Sequence, residues 1–300
     1  MNDFSKAKGH LAIFAANAIF GLGVPVTKAL LDDWVTPMGY MASRCVFAAV
    51  IFWVIAYFMP KEPVEKRDLV VIMLAGLLGF VISQTLTAWA LDFTTPVYYS
   101  LVAAMTPVAV MILAAIFLKE NITAVKIVGV LLAIAGALLM LFISWQSGTG
   151  KNDLLGIFLT VLSMLTWAVY LIVTRKLSAK YSSVTQMKYV FLVSAIVTLP
   201  IALFTEPQQR LYSSAWEWSG VIEMAFIVLF ATVLGYFLIP YAMKFLRATT
   251  VSIYTNIQPV VASLVAIAIG QDVMSWDKPV AAVLVLLGAY IVTMPDKRTK

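Results

Sequence analysis

Residues 100–120 read SLVAAMTPVAVMILAAIFLKE, and residues 252–272 read SIYTNIQPVVASLVAIAIGQD. At this offset of 152, Ser100 falls on Ser252, Pro107-Val108 on Pro259-Val260, and the loop acid Glu120 on Asp272. The agreement runs outward: Leu86 meets Leu238, Ala90 meets Ala242, and Gly136-Ala137 meets Gly288-Ala289. Nearer the N-terminus the offset is 147, where Gly9 meets Gly156, Phe20 meets Trp167, Thr27-Lys28 meets Thr174-Arg175, and Leu30 meets Leu177. The five-residue shift fits between the two blocks, because loop Glu206–Ser219 is longer than loop Met59–Lys66. Apolar coincidences alone carry little weight. A proline inside an apolar run, a loop acid and a Gly-Ala pair at one offset carry more. The chain therefore reads as two weakly similar halves, 1–146 and 147–300, joined at Ser144–Asp153.

Composition says what the halves are made for. The chain is 62% hydrophobic and 12% charged, with mean hydropathy +0.95. A soluble domain carries about 25% charge, so the surplus apolar side chains need lipid. A spanning helix takes about 20 mostly apolar residues. Ten such stretches occur: 9–31, 37–58, 68–91, 97–118, 124–143, 154–177, 185–204, 218–243, 248–269 and 278–294. Five per half is odd, so the second half lies in the bilayer upside down relative to the first. The expected fold is all-α integral membrane: ten transmembrane helices as two inverted five-helix repeats. Inverted repeats around a central site suit solute movement. The first stretch is too long for a removable signal peptide, carries Lys28 near its end and is followed by further spans.

The net charge of +6 follows membrane topology rather than nucleic-acid binding. With a cytoplasmic N-terminus, fifteen Lys and Arg residues fall in inner loops and tails, against three outside: Lys151, Arg210 and Lys278. That bias obeys the positive-inside rule and places both termini in the cytoplasm. The connections are too short to hold a soluble domain. Cys45 is the only cysteine and His10 the only histidine. A disulfide, a thiolate cage, a multi-histidine metal site and a Ser-His-Asp triad are thereby hard to build. No cofactor, no metal and no catalytic residue is expected, and the chain reads as no enzyme.

Small residues mark where helices approach closely. Gly129, Ala133 and Gly136 share a face of the fifth span, Ala281 and Gly288 of the tenth, and Ala75 and Gly79 of the third. The fifth and tenth spans carry almost no polar side chains and are expected to brace the rest.

Several short patterns resemble the drug/metabolite transporter superfamily. Phe20-Gly21 with Thr27-Lys28 resembles its "WG…K" opening, with Phe20 where tryptophan is usual. Arg44 and Ala48 resemble its "R-F-x-x-A" pattern, although Phe191 stands opposite Arg44 in the second half. The run Ala90-Leu91-Asp92-Phe93-Thr94-Thr95, leading through Ser100 and Pro107 to Lys119-Glu120, is similar to its "AL-x-Y-T … P … E" stretch. The second half repeats this as Ala242 through Pro259 to Asp272. The match covers essentially the whole chain and looks like the ten-helix EamA branch. The resemblance implies secondary transport of a small metabolite by alternating access, often outward.

Charges inside spans are costly and need reasons. Apart from Asp68 at a span's first residue, Glu223 is the carboxylate inside these boundaries. It reads as a proton-coupling or substrate-amine group, or else as an interfacial residue paired with Lys28 or Arg44. The planar donor fork of Arg44 suits a carboxylate, either the substrate's or that of Glu223; a structural or gating pair is the alternative. Lys28 and Arg175 occupy equivalent helix ends, where they snorkel or form one gate residue for each face.

Neutral polar groups at mid-membrane depth point to the site more directly. Asn17, Gln84, Asn256 and Gln258 each bring hydrogen-bonding groups where water is scarce. Pro25, Pro107 and Pro259 are expected helix breaks, and paired breaks in two halves point to a central site; plain kinks are the alternative. Trp34, Tyr57, Trp145, Tyr212, Trp216, Trp218 and Trp276 sit at span ends and read as an interfacial belt. Trp89, Tyr99, Trp167 and Tyr236 lie deeper, as cavity walls or as core. The inferred pocket is aromatic and largely neutral. It suits amino acids, aromatic or heterocyclic metabolites and vitamins better than multiply phosphorylated compounds. Only Arg44 is deep, with Lys28 and Lys188 shallower.

The sequence thus describes a secondary active transporter, export favoured, in a bacterial inner membrane. Its partners are a small-molecule substrate, the lipid bilayer and, where transport is coupled, protons. Nucleic acid is not among them, and monomer and homodimer both remain open. A passive channel or facilitator and a membrane scaffold are the alternatives. An intramembrane enzyme comes last, since no buried aspartate pair, GxSxG or HExxH is present.

Overall fold

Three of the helices begin at a side-chain cap. Thr36 precedes Pro37 and accepts from the Gly39 N–H at 3.3 Å; Asn152 accepts from Leu155 at 3.2 Å; Ser182 accepts from Thr185 at 3.2 Å. Each side chain satisfies a donor that the first helical turn leaves open. The structure, a computed structural model, describes residues 3–94, 99, 102–103, 105–119, 122–144, 152–268, 279–280, 283–284, 287–288 and 290–291. Among them every regular element is helical. In order they are α1 (Asp3–Asp33), α2 (Pro37–Tyr57), α3 (Lys66–Phe93), α4 (Thr106–Phe117), α5 (Ala124–Ser144), α6 (Asp153–Ser178), α7 (Ser183–Thr205) and α8 (Trp218–Met243), then α9 (Ala248–Ile253) and α10 (Ile257–Ala268). Six of the described helices (α1, α2, α3, α6, α7 and α8) are long and apolar enough to cross a membrane. The tenth expected span lies almost wholly outside the described residues. So do Tyr98, Ser100, Glu120, Trp145, Lys151, Asp272, Trp276 and Lys278.

Two long helices are not regular throughout. α3 widens into a π-helical segment at Leu77–Ile82, and α8 does so at Ile227–Leu234. Such segments re-aim the side chains that follow and loosen the backbone ladder. In α3 the next residues are Ser83, Gln84 and Thr87, all of which face a cavity. Glycine makes the crossing possible: a Cβ on Gly79 would collide with the Tyr170 ring of α6.

The prolines divide. Pro25, expected to break α1, does not: α1 continues from Asp3 to Asp33. Its missing N–H only deprives the Gly21 carbonyl of a partner. Pro107 sits in the first turn of α4, where its N–H is not needed; Val102 and Ala103 before it are helical, and the turn at Met105 separates them from α4. The ninth span is interrupted by a 3-10 turn at Tyr254–Asn256 between α9 and α10. Pro259 follows that turn, its side chain outside the described residues.

α2 and α7 pack along their whole length. They run antiparallel, and a carboxylate clamps each end. At the N-terminus of α2, Glu206 accepts from the Thr36 hydroxyl and from the Met38 N–H at 3.0 Å. Gln209 adds two bonds to Thr36, each of 2.8 Å. At the N-terminus of α7, Glu62 accepts from the Ser182 N–H at 3.0 Å and its hydroxyl at 2.8 Å. Each acid therefore lies just beyond the C-terminus of one helix and caps its neighbour, where the helix dipole favours negative charge. Burial pushes the Glu62 carboxyl up, but hydrogen bonds from Thr185 and Ser182, with Lys244 nearby, hold it below its ordinary value.

The core between these helices is aromatic. Phe191 is fully buried, stacks on Phe52 at 5.4 Å and meets the edge of Phe80 at 4.5 Å. Tyr236 packs against Phe80, Trp167 and Phe20. Trp34, expected in the interfacial belt, is instead buried under the Arg210 guanidinium at 4.4 Å. The loop after α7 folds over it. Tyr57 and Trp218 are exposed, as a belt requires.

Candidate functional site

A cavity of about 130 Å³ lies between α1, α2, α3, α6, α8 and the α9–α10 region. Its walls are mixed. Phe20, Trp167 and Tyr236 supply rings, while Gln84, Thr87, Ser163, Thr255 and Gln258 supply neutral polar groups.

One wall is an interlocked hydroxyl set joining α3 to α6. Ser83 donates to the Ser163 carbonyl (3.1 Å) and Ser163 donates to that of Ser83 (2.8 Å). The Thr87 hydroxyl lies 2.8 Å from that of Ser163 and also hydrogen-bonds Tyr99. On the facing side the Gln258 amide donates to Asn17 Oδ1 at 2.8 Å. The Asn17 amide in turn donates to the Ile13 carbonyl at 2.8 Å. Asn17 thereby anchors Gln258 rather than lining the cavity itself.

Among the described residues Arg44 is the single charged one on the cavity wall, and it is 4% exposed. Its Nε donates to Thr232 at 2.8 Å, and its guanidinium carbon lies 5.9 Å from the Tyr236 ring centroid. Its guanidinium carbon lies 5.0 Å from the Tyr40 ring centroid and 5.2 Å from that of Phe80. Rings at this range stabilise a cation, but they do not neutralise it. Among the described residues no carboxylate pairs with Arg44. Thr27 holds the Tyr40 hydroxyl at 2.9 Å and so fixes this aromatic cradle.

The structure brings together Gln84, Tyr99, Trp167, Tyr236, Gln258 and Arg44, and leaves the other expected site residues outside. Trp89 lies at the molecular surface. Asn256 is fully buried, and neither side-chain atom has a hydrogen-bond partner; it does not line the cavity. Lys28 pairs with Asp32 at 2.9 Å and reaches the Leu91 carbonyl at 3.3 Å, so it is not the partner of Glu223. One buried Glu223 oxygen has no hydrogen bond, and this residue too is off the cavity wall. Arg175 is half-buried at the far end of α6. The shared reason is helical phase: residues at the right depth point to whichever face the packing assigns them.

The EamA-like transporter family matches the chain twice, over residues 7–142 and 154–294. The chain belongs to the EamA-like transporter family. It is accordingly a multi-pass membrane protein of the drug/metabolite transporter kind. Among relatives, "Uncharacterized transporter YyaM" of Bacillus subtilis (strain 168) is 26% identical over 97% of this chain and 98% of its own length. "Uncharacterized transporter YetK" of the same organism is 24% identical over 96% and 88%. "WAT1-related protein At5g13670" of Arabidopsis thaliana is 21% identical over 99% and 87%. A solved chain described as "Crystal structure of protein" superposes with TM-score 0.79 over 98% of this chain and 99% of that one, at 17% identity. That likeness concerns the fold.

In this EamA-like transporter the cavity also uses residues that sequence reasoning passed over: Tyr40, Thr160 and Ser163. Hydroxyl side chains satisfy themselves on a carbonyl one turn back, as Thr160 does on Gly156 at 2.8 Å. They are common in spans without any site. Only the spacing Thr160, Ser163 and Trp167, which falls on one helical face, offered a signal.

Proposed function

We propose that this EamA-like transporter is a ten-helix secondary active transporter built from two inverted five-helix repeats, 1–146 and 147–300. It moves small metabolites, such as amino acids or aromatic and heterocyclic compounds, out of a bacterial cell by alternating access. It lies in the inner membrane with both termini cytoplasmic. The observation that carries the reading is the cavity, whose walls come from α1, α2 and α3 on one side and α6, α8 and α10 on the other. Its size is on the order of ten water positions, the scale of an amino acid or a single ring with a polar tail.

Two further features support the repeat. The π segments of α3 and α8 overlap at the offset of 152. The turn closed by the Met105 N–H on the Val102 carbonyl before α4 falls beside the 3-10 turn Tyr254–Asn256 before α10. Irregular backbone at membrane depth is tolerated where protein or a cavity covers it. Glu223 is the proposed proton carrier, on the strength of its intramembrane position and its unpartnered oxygen.

The test is counterflow in liposomes loaded with pooled amino acids and aromatic metabolites, with and without a pH gradient. Labelled solute should accumulate against the loaded pool, and Glu223→Gln should remove the response to the gradient while leaving exchange intact. Passive equilibration without counterflow marks a channel, and a gradient response unchanged in Glu223→Gln removes that residue from coupling.

A further inference from the structure

The geometry points to a cargo that is a monovalent carboxylate with a planar, apolar body, its carboxylate seated against Arg44. This rests on the transporter reading above and narrows it. The reasoning starts from charge. Arg44 is buried, carries a permanent positive charge and lines the cavity. A buried charge without a counter-ion is costly unless hydrogen bonds and an opposite charge compensate it. Here the protein supplies Thr232 and the rings of Tyr40, Phe80 and Tyr236. Among the described residues no carboxylate lines the cavity, and neither does a second cation. The charge left open is therefore one positive unit, which one carboxylate fills. A guanidinium holds a carboxylate through parallel hydrogen bonds that a neutral group lacks.

The rest of the cavity decides the rest of the molecule. Nothing on its wall offers an anion to an ammonium group, so a cation is disfavoured and a zwitterion gains less than a simple acid. Trp167 and Phe20 also line the cavity, each in ring contact with Tyr236, and give the cargo's body aromatic surroundings. A phosphate ester carries about two charges at neutral pH, one more than Arg44 neutralises. The inverted-repeat counterpart of Arg44 is Phe191, which is buried in the aromatic core. The charge thus sits on one wall only and orients the cargo with its acid toward α2.

Four probes of one shape test this on the purified full-length protein in detergent: 3-phenylpropanoate, 3-phenylpropanamide, 3-phenylpropylamine and phenylalanine. Equilibrium binding should favour the acid over the amide by about tenfold, the worth of one charge-assisted pairing. The amine should bind least. Arg44→Gln should erase the preference of acid over amide, and Arg44→Lys should restore part of it. Should Arg44→Gln fail to fold, Thr232→Val keeps the charge but frees the guanidinium, and should weaken the acid severalfold while sparing the amide. The proposal is overturned if the amide or the amine matches the acid in the wild type, if phenylalanine binds more tightly than 3-phenylpropanoate, or if no probe binds at millimolar concentration. Counterflow keeps the two readings apart. Acid that binds with this preference but never exchanges removes the transporter reading alone. Equal exchange of phenylalanine and 3-phenylpropanoate, with equal binding, removes the charge inference alone.

Discussion

Removing the two carboxylate clamps of the α2/α7 pair should destabilise the protein additively. Glu62 receives two hydrogen bonds from Ser182, and Glu206 receives two from the first turn of α2. Losing a side-chain cap costs about 1 kcal/mol, and hydrogen bonds to a charged acceptor raise this toward about 2 kcal/mol. Both acids are near the surface, so screening holds each value to the lower part of that range. α2 has 21 residues and is therefore roughly 30 Å long. The clamps sit at opposite ends with no shared partner, and distant sites add to within about 0.5 kcal/mol. Glu62→Ala and Glu206→Ala should each cost about 1 kcal/mol, and the double variant about 2 kcal/mol. Reversible unfolding in mixed micelles, followed by circular dichroism at pH 7.5, measures all four corners of the cycle. The Glu62 effect also has a definite pH dependence. Its folded pKa is lowered from the ordinary 4.5, so its contribution is complete above that value and is lost as pH falls through the folded one. The gap between wild type and Glu62→Ala should shrink below about pH 4.5. Single variants indistinguishable from wild type, or a double variant no worse than one single, refute the clamp.

Two further outcomes follow from the polar side chains around the cavity. Asn17→Ala removes the acceptor that holds Gln258, and should weaken binding of a cavity probe severalfold with little change in folding. Unchanged binding in Asn17→Ala beside a loss in Gln258→Ala shows that Gln258 needs no anchor. Asn256→Leu replaces a buried amide without partners by an apolar side chain of similar size, and should stabilise the protein by about 1 kcal/mol or more. A lower unfolding midpoint means that Asn256 is satisfied in a way the present structure does not hold.

The spans were legible because lipid demands long apolar helices and tolerates few charges, a constraint that acts on composition residue by residue. The positions of α1, α2, α3, α6, α7 and α8 follow that pattern closely. The π segments were not legible: LLGFVI and IVLFATVL read as ordinary apolar helix, and only neighbours such as Tyr170 pressed against Gly79 reveal why the helix widens there. Pro25 misled for the same reason. Its ring signals a missing donor, yet α1 runs through it unbroken, because one lost hydrogen bond does not end a helix that packing holds. Arg44 was legible as a deep charge. Its lack of a counter-ion was not, because that depends on which carboxylates the fold brings near.

Composition and spacing alone assign this chain to a bilayer, show that its two halves echo each other, and mark which polar residues fall inside its apolar stretches. These are properties of single residues and their spacing. Tertiary structure alone decided which of those residues share a hollow: Asn17 behind Gln258, Lys28 with Asp32, Asn256 sealed away, and Arg44 facing open space. Depth is set along one helix, but facing is set by helix rotation against five neighbours, and side-chain packing fixes that rotation.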